Sequence, residues 1–504
     1  MALINLHSGF AKASITLFSR IVTALVGIIF VPIYVRLIGV ESYGLVAFFG
    51  TLSGSLAILD LGLSTAISRQ IAILRVQPDR GKEIKDLVYS VSIIYWIIAF
   101  TIGLIIIGLA KPIAVYWVNA KELPVSVIQR AVILMGIVFA FQFPSSIYNG
   151  VMTGMEKQIP NAIITVLFTI LKAVGVILVL KMVSSSVGTY FLWQAVITLV
   201  FTVVLHIYVW KDLAVTDQKA AFSRTQLRAI GRFAAGMTGI SAITFFISQI
   251  DKIVVSKMVL LEFVGYYNLA FLVSGVLSQL VSPLQPVVFP KFASLIAQHK
   301  MEELKVLYHK SCRWVAIIVF PIGFTLLVFA KEILLLWTKN PVITMHTTPI
   351  LQVCVIGTIC NCIMWIPYYY LLAKGITRFT VYQNLIASII LVPLLFWWTS
   401  KYGALGASFV WLTINGSYIL IALPLFYKLY LKGEMLKWLK HDVSLPFIAA
   451  GLLVAGTRYL QWQFQPGITW PVFGATIIIL VIIYTLIIPD TRSIALRFKW
   501  QFKL

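Results

Sequence analysis

Seven ionisable side chains stand out because each lies within a long apolar run of the sequence. A charged group near the middle of a bilayer costs at least about 2.5–3.5 kcal/mol, so it usually faces a partner or an aqueous cavity. Five of the seven are cations and two are acids, a balance that favours an anionic ligand. The seven residues are Arg20, Asp60, Arg69, Lys172, Asp251, Lys252 and Lys291.

Lys172 is the deepest of these cations. Apolar residues surround it in the sequence, and no acidic residue lies nearby to pair with it. From the middle of a span, a lysine reaches the membrane surface only with difficulty. We therefore expect Lys172 to line a cavity and to contact an anionic group; a structural ion pair is the alternative.

The two acids, Asp60 and Asp251, are candidates for coupling or gating. Asp60 lies near the middle of its apolar run, where it either makes a hydrogen bond between helices beside Gly62 or holds a proton or a cation. Asp251 and Lys252 are adjacent, so their side chains are about 100° apart on a helix and cannot face each other directly. We expect each to need another partner, and we interpret them as a gate contact.

The remaining cations, Arg20, Arg69 and Lys291, lie toward the ends of their apolar runs, where a long side chain can reach the membrane surface. Arg69 and Lys291 are separated by nearly the offset of an internal repeat described below. On one continuous helix, Asp60 and Arg69 would point to opposite faces. We therefore expect Arg69 and Lys291 to form an entrance pair for an anionic cargo, with snorkelling as the alternative.

The composition indicates a membrane protein. Of 504 residues, 60% are hydrophobic and 11% are charged, whereas a typical soluble chain is about one quarter charged. This excludes a disordered chain, a secreted disulfide scaffold and a conventional cytosolic enzyme. The formal net charge is +23, but Lys and Arg lie mostly in short connectors, so we expect no nucleic-acid partner.

A hydrophobic helix needs about 20 residues to cross a bilayer. On this criterion the sequence predicts an all-α polytopic protein with about fourteen transmembrane helices. The second and eighth runs are longer than one crossing needs, so they must tilt, bend or protrude. The predicted spans are 14–38, 43–74, 87–110, 126–149, 160–181, 187–210, 233–256, 263–297, 312–337, 347–372, 380–399, 403–429, 446–464 and 470–489.

Basic residues concentrate in the connectors that this order places on one side, for example Arg75 to Lys85 and Lys211 to Arg232. The positive-inside rule then predicts that both termini are cytoplasmic. The connectors on the other side are short, and Gly81-Lys82 lacks the first glycine of a phosphate-binding loop. We expect no enzyme activity, no cofactor and no metal site.

An internal repeat relates the two halves of the chain. Glu83-Ile84-Lys85 matches Glu303-Leu304-Lys305, and Pro144 to Asn161 matches Pro367 to Asn384, with the asparagine 17 positions after the proline in both. Six spans separate the copies, so the halves have the same orientation and a pseudo-twofold axis along the membrane normal. The predicted domains are 1–215 and 216–432, each a six-helix bundle, and 433–504, which holds two further helices and a cytoplasmic tail.

Four segments carry a family resemblance. Pro32-Ile33-Tyr34-Val35-Arg36-Leu37-Ile38-Gly39, Leu59-Asp60-Leu61-Gly62-Leu63, Ile250-Asp251-Lys252-Ile253 and Tyr402-Gly403-Ala404-Leu405-Gly406-Ala407 resemble segments of polysaccharide-biosynthesis flippases of the O-antigen type, in the MOP exporter superfamily. The last two helices are also similar to those of lipid II flippases.

The resemblance implies a V-shaped pair of bundles in a bacterial inner membrane. It implies that an undecaprenyl-diphosphate-linked oligosaccharide is moved from the inner to the outer leaflet by alternating access, with cations neutralising the diphosphate. A polysaccharide polymerase and a chain-length regulator are candidate partners. The alternatives are a lipid II-type flippase, a multidrug or ion-coupled exporter of the same superfamily, and, less favoured, a membrane glycosyltransferase or polymerase.

Overall fold

The computed structural model describes residues 15, 18, 19, 21–60, 62–75, 77, 80–213, 219–228, 230, 231 and 249–463. Within these ranges the chain is almost wholly helical and contains no β-strand; an isolated bridge pairs Asn119 with Leu260. The predicted all-α polytopic membrane fold is confirmed.

The first half of the chain forms seven principal helices. Short helical segments, Ala110–Pro112 and Ile113–Trp117, extend beyond the fourth of them, and residues 249–258 form another helix. The seven are α1 (Ile21–Ile38, bent at Phe30), α2 (Val40–Leu56), α3 (Leu63–Arg75), α4 (Gly81–Gly108), α5 (Val125–Gly154), α6 (Gln158–Met182) and α7 (Val187–Leu213).

The second half forms ten more helices, several of which continue one another across short breaks. They are α8 (Leu261–Ser274), α9 (Val276–Val281), α10 (Gln285–Ala297), α11 (Met301–Val328), α12 (Ala330–Thr338), α13 (Pro341–Ile363), α14 (Trp365–Ala373), α15 (Thr377–Ser417), α16 (Leu423–Tyr430) and α17 (Leu445–Gln463). A short helix, Met435–Lys437, and a π-helical segment, Trp438–Ser444, lead into α17.

Within the described ranges, ten helices are long and apolar enough to cross a membrane. The predicted number of fourteen stays a prediction. Most of predicted span 233–256 and all of span 470–489 lie outside the described residues, and the long predicted run 43–74 is broken into separate helices.

Asp60 lies at the break in the predicted run 43–74. After α2 the chain forms a short 3-10 segment, Ala57–Asp60, and α3 begins at Leu63. Gly62 between them has φ +66°, a conformation that costs glycine nothing and other residues more. The run bends as its length requires, but the assumption that Asp60 and Arg69 share one continuous helix is wrong. The inference that they point to opposite faces therefore loses its basis.

Two other long stretches of helix are also interrupted. The predicted eighth span divides into α8, α9 and α10, with a 3-10 turn, Ser282–Leu284, that contains Pro283. Predicted spans 380–399 and 403–429 are joined through α15, whose helical path is interrupted at Gly403 (φ +58°, ψ −139°).

The described residues belong to two compact units. The first comprises residues 1–268 and 395–407, and the second comprises 269–394 and 408–504. The predicted domain boundary after residue 215 lies outside the described residues, so the division into 1–215, 216–432 and 433–504 stays a prediction.

Candidate functional site

The first unit contains a polar cavity of about 580 Å³ beside Asp60, which we call the Asp60 cavity. It is unusual because its walls are rich in hydroxyl and amide groups although the surrounding helices are apolar. Phe139 and Phe143 contribute apolar surface. The polar lining residues besides Asp60 are Ser53, Ser64, Thr65, Ser68, Gln142, Ser145, Ser146, Asn149 and Thr153.

Helix α5 supplies the longest wall of the cavity. Phe139, Gln142, Ser146, Asn149 and Thr153 recur every three or four residues, so they share one face of the helix. Fourteen helical steps from Phe139 to Thr153 extend about 21 Å. The cavity therefore follows α5 for about four turns, from mid-helix almost to its C-terminal end.

Two glycines allow α3 to approach this wall. A Cβ atom added at Gly150 would lie 2.6 Å from the Ser64 carbonyl oxygen, and one at Gly154 would lie 2.6 Å from the Ser68 carbonyl oxygen. Glycines four residues apart are the small-residue pattern that lets membrane helices pack closely. This spacing brings Ser64 and Ser68 against the polar face of α5.

The Asp60 carboxylate accepts hydrogen bonds from three helices. Ser64 Oγ on α3 donates to Oδ2 at 2.7 Å, and Ser146 Oγ on α5 donates to Oδ1 at 2.8 Å. Oδ1 also accepts from the hydroxyl of Tyr95 on α4, a fully buried side chain that stacks on Phe143. Asp60 thus has the helix-to-helix bonds that the sequence offered as one interpretation, and it also lines a cavity.

Other polar groups of the cavity have no hydrogen-bond partner within the described part of the chain. The Ser53 hydroxyl is buried without one. The side chains of Ser68, Gln142 and Asn149 line the cavity, and no described residue bonds to them. Polar groups in a membrane interior are costly unless satisfied, so these groups are suited to bind water or a polar ligand.

Lys172 lies on α6 and does not line the Asp60 cavity. It is half-buried, and helical spacing puts it on the side of α6 opposite the exposed Ile163 and Ile170. Two contacts fix the backbone here: Trp193 Nε1 donates to the Lys172 carbonyl at 3.2 Å, and the Tyr34 hydroxyl donates to the Ala173 carbonyl at 3.1 Å. Among the described residues, none bonds or ion-pairs with the Lys172 ammonium.

Asp251 and Lys252 lie on the helix formed by residues 249–258. Asp251 Oδ2 accepts a hydrogen bond from the Tyr267 hydroxyl at 2.7 Å, whereas its Oδ1 is buried with no hydrogen bond in the described ranges. Lys252 Nζ donates to Gln249 Oε1 at 3.3 Å. The two charged side chains have different neighbours, and their gate role stays a prediction.

Arg69 on α3 and Lys291 on α10 are both exposed. They belong to different units, and their role as an entrance pair stays a prediction. Arg20 lies outside the described residues. Of the six candidates in the described part of the chain, Asp60 alone lines the Asp60 cavity.

Sequence reasoning missed the hydroxyl groups that surround Asp60. Tyr95 and Ser146 are 35 and 86 residues away from it in the chain, so no local pattern connects them. One signal was available: the stretch from Gln142 to Asn149 carries four Ser, Asn or Gln side chains inside the predicted span 126–149.

A second cavity of about 760 Å³ lies between α4 and α7. It is mainly aromatic and apolar, with Trp96, Phe100 and Trp210 among its lining residues. The Tyr148 hydroxyl lies 2.8 Å from His206 Nδ1 and accepts from Trp96 Nε1 at 3.3 Å. Other polar groups of this cavity, the Ser92 hydroxyl and the Trp210 indole N–H, are buried without a hydrogen-bond partner among the described residues.

Comparison with known proteins identifies the family. The family model described as "Polysaccharide biosynthesis protein" matches residues 10–296, more than half of the chain. The chain belongs to the polysaccharide biosynthesis protein family. The expected membership in a polysaccharide-biosynthesis family is thereby confirmed.

Two relatives of this polysaccharide biosynthesis protein have curated names. A putative O-antigen transporter of Shigella flexneri is 23% identical over 410 residues, which cover 78% of this chain and 92% of the relative. The lipopolysaccharide biosynthesis protein WzxC of Escherichia coli (strain K12) is 27% identical over 242 residues, covering 45% of this chain and 47% of the relative.

Solved structures show the same fold. The lipid II flippase MurJ, in an inward closed conformation, has a TM-score of 0.71 at 14% identity, covering 97% of this chain and 99% of MurJ. An inward-facing multidrug resistance MATE family transporter has a TM-score of 0.64 at 15% identity, covering 88% of this chain and 98% of the transporter. This polysaccharide biosynthesis protein is therefore a multi-pass membrane protein with the MOP transporter fold.

Proposed function

We propose that the protein is a flippase that moves a lipid-linked oligosaccharide from the inner to the outer leaflet of a bacterial inner membrane by alternating access. The cargo would be an undecaprenyl-diphosphate-linked repeat unit of O-antigen or another surface polysaccharide. The observation that carries this proposal is the Asp60 cavity, a hydroxyl- and amide-lined space within an apolar helical unit. A lipid tail is stable in hydrocarbon, whereas a sugar needs such polar walls.

The cations support an anionic cargo. Lys172 is half-buried on the side of α6 away from exposed apolar residues, and no described residue pairs with its ammonium. A diphosphate would supply the missing anion, because charge-assisted hydrogen bonds to phosphate are strong. Arg20, Arg69, Lys252 and Lys291 are further candidates for the path of the diphosphate, and Asp60 and Asp251 are candidates for coupling or gating.

The remaining parts of the proposal concern setting and partners. Both termini would be cytoplasmic, because the connectors on that side carry most of the Lys and Arg. No covalent chemistry and no cofactor are needed, since the cargo changes leaflet without changing its bonds. A polysaccharide polymerase and a chain-length regulator remain candidate partners, because a translocated repeat unit has to be consumed on the outer side.

The test is a leaflet assay with purified protein in liposomes. Lipid-linked oligosaccharide is added to the bilayer, and the fraction reached by an external sugar-oxidising reagent is followed over time. We expect this fraction to rise faster than in empty liposomes, with the cargo mass unchanged by mass spectrometry. A change in covalent mass would indicate an enzyme. Export of a cationic dye without movement of the cargo would indicate a multidrug exporter.

A further inference from the structure

We propose that the Asp60 cavity binds uncharged sugar residues of the cargo, laid along the polar face of α5. The inference rests on the proposed flippase function and adds which part of the cargo this site takes. The diphosphate would be bound elsewhere, by cations, because Asp60 is the one charged side chain among the described residues that line this cavity.

The first support is the direction of the hydrogen bonds at Asp60. An ionised carboxylate can only accept, so Ser64, Ser146 and Tyr95 use their hydroxyl protons on it. The oxygens of Ser64 and Ser146, which line the cavity, then present only lone pairs to a ligand. This end of the cavity therefore suits ligands that donate hydrogen bonds, as sugar hydroxyls do, and disfavours a phosphate, which would face acceptors and a negative charge.

The second support is the distribution of the remaining polar groups. Ser53, Ser68, Gln142 and Asn149 have no hydrogen bonds from described residues and follow the cavity along its length. Hydroxyl and amide side chains can both donate and accept, as the many hydroxyls of an oligosaccharide require. Phe139 and Phe143 add apolar surface for the C–H faces of sugar rings.

A cation at Asp60 is the competing occupant. A hard cation is held by oxygen atoms about 2.3–2.6 Å away, so it would use only the groups next to the carboxylate. It would not use the side chain of Asn149, which lies farther along α5 and has no hydrogen bond from a described residue. The length of the polar face, about 21 Å, and the cavity volume of about 580 Å³ fit an extended polyhydroxyl ligand better.

The decisive variant changes the far part of the cavity and leaves Asp60 untouched. Gln142→Leu with Asn149→Leu removes two amides at positions where no hydrogen bond within the described chain is lost. Gln129→Leu is the matched control, because Gln129 lies on the same helix outside the cavity. Each protein is placed in nanodiscs, and binding is measured by native mass spectrometry.

Two lipid probes separate sugar from the rest of the cargo. One is the lipid-linked oligosaccharide extracted from the source cells, and the other is undecaprenyl phosphate, which carries no sugar. With about 1 kcal/mol per lost hydrogen bond, we expect the double variant to bind the sugar-bearing lipid about 30-fold more weakly. Its binding of undecaprenyl phosphate should stay unchanged, and Gln129→Leu should match the wild type with both probes.

Three outcomes would overturn the inference. Equal weakening of both probes would show that the amides act through the lipid, the phosphate or the fold. Unchanged binding of the sugar-bearing lipid, with normal transport, would remove the sugar site and leave the flippase function intact. The cavity would be assigned to a cation if two results came together: saturable sodium binding that Asp60→Asn abolishes, and cargo binding that the double variant leaves unchanged. If wild-type protein neither binds nor moves the cargo, the proposed function itself fails.

Discussion

One polar cluster in each unit shows that polar groups in a helical interior can be left open or paired with one another. In the first unit, the Asp60 cavity leaves Gln142 and Asn149 without described partners. In the second unit, Asn361 Nδ2 donates to Asn415 Oδ1 at 2.8 Å, and Asn361 Oδ1 accepts from Trp365 Nε1 at 3.0 Å. Paired polar groups stabilise a helix bundle, whereas open ones form a binding surface.

The second unit also pairs its charges. His309 contacts the carboxylates of Asp442, at Nδ1, and Glu434, at Nε2, the latter at 3.3 Å. Arg313 adds a 3.3 Å contact to the fully buried Asp442, and Lys437 lies 3.0 Å from Glu434. This network joins α11 to the segment that leads into α17. We interpret it as structural, because its charges bind one another.

The repeat makes this contrast sharper. Ser146 follows Pro144 by two residues, and the corresponding position after Pro367 is Tyr369. Lys172 corresponds in the same way to Leu395. At these two positions the copies therefore differ in chemistry, although they share the proline and asparagine positions of the repeat.

Loss of the Asp60 carboxylate should have the largest effect. Asp60→Ala removes the acceptor of three hydroxyls, one of them the buried Tyr95. Leaving buried donors unpaired costs about 1–3 kcal/mol each, so we expect an unfolding free energy lower by about 3–5 kcal/mol and no transport. Chemical denaturation in detergent micelles measures the first quantity, and the leaflet assay the second.

Asp60→Asn is the companion to this variant. Its oxygen can still accept from Tyr95 and Ser146, so we expect it to keep most of the stability that Asp60→Ala loses. If Asp60→Ala is as stable as the wild type, the hydrogen bonds at Asp60 do not hold the three helices together.

Replacement of Lys172, whose ammonium has no partner among the described residues, should have the next largest effect. Lys172→Leu gives the first copy of the repeat the residue type that the second has at Leu395. A hydrogen bond to a charged group contributes about 1.5–3 kcal/mol, so transport should fall about 10- to 100-fold at normal protein levels. Lys181→Leu, at the end of the same helix, is the control. Normal transport by Lys172→Leu would exclude a role in binding the diphosphate.

The amide pair of the second unit should affect stability and not transport. Asn361→Leu or Asn415→Leu alone leaves a partner unsatisfied and should cost about 1–3 kcal/mol. The double variant removes both partners, so it should cost clearly less than the sum of the single variants. Transport per folded molecule should stay constant throughout. A strong loss of transport in the stable double variant would mean that this cluster, too, binds cargo.

The sequence predicted most of the helices and the unusual positions of Asp60 and Lys172, but not the hydrogen-bond partners of Asp60. Hydropathy and length located most helices. The apolar run 43–74 is too long for one crossing, so a bend was expected, and Asp60 lies just before that bend. The rarity of charges inside spans singled out Asp60 and Lys172. The distant partners of Asp60 could not be found, because serine and tyrosine are common in membrane helices and tertiary packing alone selects Ser146 and Tyr95.

The smallest expected effect concerns Glu434 at the edge of the charged network. Burial raises the pKa of Glu434, but the hydrogen bond and charge of Lys437, together with those of His309, outweigh it, and the pKa lies below its usual value. A lowered pKa in the folded state contributes stability above the pKa of the unfolded chain, about 4.3, and that contribution is lost as the pH falls through the lower folded value. Glu434→Gln should therefore lower the unfolding free energy by at most about 1 kcal/mol at neutral pH. Thermal unfolding at pH 7 and below pH 4 measures the stability difference between the wild type and Glu434→Gln, which should shrink on acidification. A difference that grows, or a loss of transport at neutral pH, would show that the charges of this network do more than bind one another.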